Sequence, residues 1–131
     1  MKRIVIAIFI ICGLTACHES LEDRSVREAK EYTKKFCPTP AVNEIRTDSV
    51  SFVKATKTYT YYCAYVGKPE NEKFFEENKA KLQEMMVKEI VDNTSVKKLK
   101  EAGFNFSYIV YPANQRNKVL YQQIITEKEY R

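Results

Sequence analysis

The nine residues TYTYYCAYV, Thr58 to Val66, constrain this chain most. Tyr59, Tyr61, Cys63 and Tyr65 alternate with Thr58, Thr60, Tyr62, Ala64 and Val66. A period of two with aromatic and β-branched residues describes a pleated strand, because successive side chains point to opposite faces. The stretch from Glu44 to Ala55 has the same period, with Val50 and Phe52 on one face and Ser49 and Ser51 on the other. With Thr56 and Lys57 as the break, the two segments read as a hairpin ended by Gly67 to Pro69. A second hairpin is expected further on. Phe104, Phe106, Tyr108 and Val110 alternate, PANQRNK is a turn-rich connection, and Val119 to Thr126 is the return strand.

Helices fill the remainder. Phe75, Leu82, Met86 and Ile90, with Phe74 and Met85 adjacent, recur at helical steps among Lys and Glu, which predicts one long amphipathic helix. Asn93 and Thr94 end it, and a shorter helix is expected from Ser95 as N-cap to Ala102, with Gly103 as its left-handed C-terminal residue and Phe104 packing back on Leu99. Near the start, Ser20 and Asp23 have capping-box spacing. Val26, Ala29, Thr33 and Phe36, with Tyr32 beside them, form a modest stripe, and Pro38 and Pro40 stop the helix. The expected fold is α+β: a four-stranded, mainly antiparallel sheet of two hairpins, the long helix across one face, and an N-terminal helix that could cover the other.

Lys2 and Arg3 precede an unbroken apolar run from Ile4 to Leu14, after which His18, Glu19 and Ser20 are polar. The run is shorter than the roughly 20 residues that span a bilayer, and it has the anatomy of an export signal. Leu14-Thr15-Ala16-Cys17 resembles the lipobox of bacterial lipoproteins. The resemblance implies cleavage before Cys17, a diacylglyceryl group on its thiol and acylation of the new N-terminus, a stable two-signal anchor. His18, rather than Asp, after the Cys resembles outer-membrane sorting in hosts with two membranes. The expected organisation is a signal at 1–16, a lipidated tether at 17–21 and one domain at 22–131.

Without the signal, 20 basic and 17 acidic residues leave a net charge of +3, interspersed as in REAKEYTKK. Such a surface is solvated and is no nucleic-acid footprint. Cys12 falls within the signal, leaving Cys37 and Cys63. In an oxidising compartment the simplest expectation is a Cys37–Cys63 disulfide, which would stabilise the fold by roughly 3.5 kcal/mol on the chain-entropy model. A reactive or metal-binding pair would call for a CxxC spacing or a nearby His.

Catalytic signatures are lacking. The one histidine, His18, sits beside the proposed lipid site. Neither H-E-x-x-H, a Gly-rich phosphate loop nor a nucleophile elbow occurs, so no catalytic residue, metal or cofactor is expected. Glu76, Glu77, Glu84 and Glu89 are interleaved with Lys, as in solvated ion pairs. Seven tyrosines (Tyr59, Tyr61, Tyr62, Tyr65, Tyr108, Tyr111, Tyr121) fall on or beside the strands. Tyr59, Tyr61 and Tyr65 on one face are either core or a recognition surface for a protein, peptide or glycan. Three functions follow: a membrane-anchored, non-catalytic binding or assembly module with a protein or peptide partner, which an open strand edge would favour; a small envelope hydrolase using carboxylates in a cleft; or a periplasmic inhibitor or immunity protein.

Overall fold

The computed structural model describes residues 19–131; Cys17, His18 and the apolar run lie outside them. In chain order the elements are α1 (Leu21–Phe36), β1 (Ile45–Val53), β2 (Thr58–Tyr65), a 3-10 turn (Pro69–Asn71), α2 (Phe74–Glu77), α3 (Lys79–Asp92), a 3-10 turn (Thr94–Val96), α4 (Lys97–Glu101), β3 (Asn105–Pro112), β4 (Tyr121–Ile125) and α5 (Glu127–Tyr130). The sheet runs β1-β2-β3-β4. Both expected hairpins are present: β1 pairs antiparallel with β2, and β3 with β4. At the centre, β2 and β3 pair in parallel, Thr58 against Asn105 through Tyr65 against Pro112. Parallel neighbours need a crossover of a dozen residues or more, and the helical segment between β2 and β3 provides it. The α+β class with a mainly antiparallel sheet therefore stands, with one parallel pair at its middle.

That crossover packs on the sheet to close the core. Leu82 packs with Phe75, Cys63, Tyr65, Val110 and Tyr121 at one end. Ile90 and Val96 pack with Phe106 and Ile125 at the other. The long helix is not continuous. Asn78, at φ −115° and ψ 23°, separates α2 from α3, and its side-chain amide donates to the Phe74 carbonyl at 3.0 Å. Asn competes for backbone groups in this way, so a pattern read on apolar positions alone runs through the break. Ser95 likewise lies within a 3-10 turn, whose cap is Asn93. Gly103 has the left-handed φ of 76° expected of it. Beyond the expected return strand, whose last residue Thr126 is its N-cap, the short α5 has a Thr126–Glu129 capping box. Its Tyr130 hydroxyl donates to the Phe104 carbonyl at 2.9 Å while the ring meets Phe106 edge-on.

Helix α1 begins one residue inside the expected tether, and Glu19 is held by Arg27 at 2.7 Å. Half of the anticipated capping box forms: Ser20 Oγ accepts from the Asp23 amide at 3.1 Å, while the Asp23 carboxylate turns to Lys54 Nζ at 2.6 Å. The helix does not take the second face of the sheet. It packs along β1 on the face that α3 and α4 also occupy, where Ser25 and Ala29 are buried. Thr33 reaches the outer edge of β1, where its hydroxyl donates to the Val50 carbonyl and accepts from the Val50 amide, each at 3.0 Å. Beyond the helix, Thr39 does the same to Thr47, through its amide at 3.0 Å and its Oγ1 at 2.9 Å. These contacts occupy an edge that would otherwise invite a foreign strand. The open-edge condition for strand addition is thus not met at β1.

Between Thr47 and Ser49 the register slips by one residue, and Asp48 is the extra one. Bulges bend a strand and re-aim a side chain. Asp48, only 8% exposed, accepts from Arg46 Nε at 2.7 Å, the Tyr111 hydroxyl at 2.9 Å and Arg116 Nη2 at 3.4 Å, joining β1, β3 and the β3–β4 loop.

Candidate recognition cleft

On one face of the sheet, α1 and the 3-10 turn that leads into α4 leave a cleft between them. Its walls are Ser25, Glu28 and Tyr32 of α1 on one side and Asn93, Ser95, Val96 and Leu99 on the other, over a floor of Val50, Tyr59 and Tyr61. The space is about 230 Å³, below the roughly 300–1,000 Å³ of sites that hold drug-sized ligands. It has room for one or two side chains of a partner.

Aromatic rings run continuously beneath it. Phe104 meets Phe52 at 5.0 Å between centroids, Phe52 meets Tyr59 at 6.5 Å, Tyr59 meets Tyr61 at 5.3 Å, and Tyr61 stacks on Tyr108 at 4.8 Å with 11° between planes. Offset and tilted pairs at such distances are the favourable ones. Burial raises the Tyr59 phenol to about 12 and holds those of Tyr61 and Tyr108 well above the ordinary tyrosine value. All three are neutral at physiological pH. None of the three hydroxyls has a hydrogen-bond partner among the described residues, and no polar side-chain atom there is both buried and unpaired. The hydroxyls of Tyr59 and Tyr61 are thus not sealed from solvent.

The anticipated tyrosine row divides. Tyr59 and Tyr61 lie on the cleft floor. Tyr65 shares their face but is core: it is buried, edge-on to Phe75 at 5.3 Å, and its hydroxyl donates to the Lys68 carbonyl at 3.1 Å. Elsewhere, the Tyr111 hydroxyl is engaged by Asp48 and that of Tyr121 by Gln123. The α1 wall was missed by the sequence reading, although Ser25, Glu28 and Tyr32 recur at steps of three and four residues and so share a helix face.

The expected Cys37–Cys63 disulfide is not present: both are free thiols. Cys37 follows α1 and is half-buried, whereas Cys63 is buried on β2 opposite Thr47. Burial, and then the charge of Asp48, raises the Cys37 thiol. Burial pushes Cys63 up to about 11 against the lowering effect of a Thr47 hydrogen bond. Neither environment favours the thiolate through which disulfides form. Glu76, Glu77, Glu84 and Glu89 are exposed as expected, yet none belongs to a salt bridge among the described residues. No group of three or more His, Cys, Asp or Glu there could hold a metal ion, and no helix there is long and apolar enough to cross a membrane.

Among solved structures, the fold is similar to that of a Pseudomonas aeruginosa protein inferred to be secreted, with a TM-score of 0.67 and 12% identity over 87% of this chain and 100% of that one. It is also similar to EpsS, the pilotin of the Vibrio vulnificus type 2 secretion system (TM-score 0.60, 14% identity, 85% of this chain and 92% of that one). AspS, a type II secretion system pilotin of Vibrio cholerae, is similar at TM-score 0.57 and 14% identity, over 83% of this chain and 91% of that one. Identities this low establish a common fold. No curated protein matches the chain. The model of a family described as a domain of unknown function, DUF8479, matches residues 20–121, and the chain belongs to that family.

Proposed function

We propose that this chain is an exported, lipid-anchored protein of the bacterial envelope, attached through Cys17, which acts without catalysis by holding a segment of a protein partner in the cleft between α1 and α4. The observation that carries the reading is the floor of that cleft, where Tyr59 and Tyr61 present unpartnered hydroxyls above a continuous aromatic base. Tyrosine is favoured where one end of a side chain packs and the other meets a partner. The pilotin fold of EpsS and AspS supports an assembly role at the envelope, and the leader LTAC supports the anchor. A glycosidase would need two facing carboxylates, and this cleft is lined by one, Glu28.

Site-specific photo-crosslinking in the native host tests the reading. A photoreactive side chain at position 32, on the cleft wall, should join a discrete envelope protein, whereas one at the exposed position 124 on β4 should not. Adducts from 124 alone would move the binding surface to the other edge of the sheet and overturn the assignment.

A further inference from the structure

We infer that the cleft recognises a basic side chain, arginine or lysine, on the partner segment; this rests on the reading above and specifies the chemistry of that site. Two of its hydroxyls already have their protons committed elsewhere. Ser25 Oγ donates its proton to the Leu21 carbonyl at 2.8 Å, and Ser95 Oγ donates to Asn93 Oδ1 at 2.6 Å. Carbonyl and amide oxygens only accept, so the direction of both bonds is fixed, and each serine offers a guest only lone pairs. Asn93 Oδ1 is engaged twice, because it also accepts from the Ser95 amide at 3.0 Å.

The charge in the cleft has one sign. Glu28 is the charged residue of the lining, and no lysine or arginine joins it. Arg24 Nε holds Glu28 Oε1 at 2.7 Å across one helical turn, with both side chains about half exposed. Exposed pairs of this kind contribute little and rearrange readily. Tyr32 lines one wall and Tyr59 and Tyr61 the floor, and aromatic rings attract cations that approach their faces. A carboxylate, two acceptor-only hydroxyls and three tyrosines suit a guanidinium or ammonium group. An acidic guest would meet the Glu28 carboxylate with no lysine or arginine of the lining to offset it. The volume of about 230 Å³ agrees with one such side chain and its stem.

The test uses the detergent-solubilised full chain with ¹³C-labelled tyrosine rings, titrated with N-acetyl-arginine amide and, separately, with uncharged N-acetyl-norleucine amide. The arginine compound should shift the ring signals of Tyr59 and Tyr61 saturably. Glu28→Gln and Tyr32→Leu, both at partly exposed positions of α1, should each weaken that binding about threefold or more. Equal binding of the norleucine compound at the same rings would overturn the preference for a cation while leaving the cleft as a binding surface. Absence of any arginine-dependent shift at those rings would overturn the inference outright. Crosslinking from position 32 reports separately on whether a partner occupies the cleft at all.

Discussion

The Thr33 hydroxyl sits 3.0 Å from both the amide and the carbonyl of Val50, and so takes the place of a neighbouring strand at the outer edge of β1. A helix residue completing a sheet edge ties α1 to β1 at a fixed register, and that placement opens the cleft above Tyr59. Thr33→Val keeps the shape and removes both bonds, leaving two main-chain groups unsatisfied. Chemical denaturation should show a loss of about 1–3 kcal/mol, with Thr33→Ser retaining most of the stability. Equal stability of the valine variant would mean that water replaces the hydroxyl without cost.

The core prediction compares two isoleucines. Ile90 is fully buried between Val96, Phe106 and Ile125, whereas Ile124 is 56% exposed on the edge strand. Ile90→Ala should cost about 2–5 kcal/mol, through lost burial and the cavity it leaves. Ile124→Ser should fall within about 0.5 kcal/mol of the parent. Denaturation midpoints that rank the two variants the other way would contradict the placement of α3 on this face.

Asp48 gives the fold an acid-sensitive joint. Burial raises its carboxyl, but the hydrogen bonds from Arg46 and Tyr111 and the charge of Arg116 outweigh burial and hold it below the usual aspartate value. A folded value below the unfolded one contributes stability above the unfolded value of about 3.9, lost as pH falls toward and through the folded one. Asp48→Asn should be less stable than the parent by about 1–3 kcal/mol at pH 7, with the gap narrowing below about pH 4. Parallel pH profiles for the two proteins would show that Asp48 titrates alike in both states.

The two thiols should differ in reactivity. In the folded, unreduced protein at pH 8, iodoacetamide should modify the half-buried Cys37 first. Cys63, buried and raised to about 11, should react only on unfolding. Peptide mass mapping reads this directly. Alkylation of either residue only after reduction would show the pair to be bonded.

The local elements were legible because their signals are local. Alternation in TYTYYCAYV marks β2, Pro38 marks the end of α1, and Gly103 marks the end of α4. The parallel β2–β3 contact was not legible, since either pairing of two hairpins satisfies the same alternation. The helix break at Asn78 rests on one side-chain amide and leaves the spacing of Phe75, Leu82 and Ile90 intact. For the site, alternation gave Tyr59 and Tyr61 a common face but also included Tyr65, because a face does not reveal where a helix ends above it. The cleft exists only once α1 lies beside α4. Its α1 wall of Ser25, Glu28 and Tyr32 is a helical stripe whose meaning depends on that tertiary placement.

The compartment in which this cleft operates decides which partners can reach it, so the most direct measurement is the intact mass of the chain extracted with detergent from its host's membranes. A species beginning at Cys17, with the mass of the acyl groups added and absent from a Cys17→Ser variant, is the predicted result. A membrane-extracted chain that retains Lys2 to Ala16, or that begins at Cys17 without lipid, would contradict the anchored envelope protein proposed here.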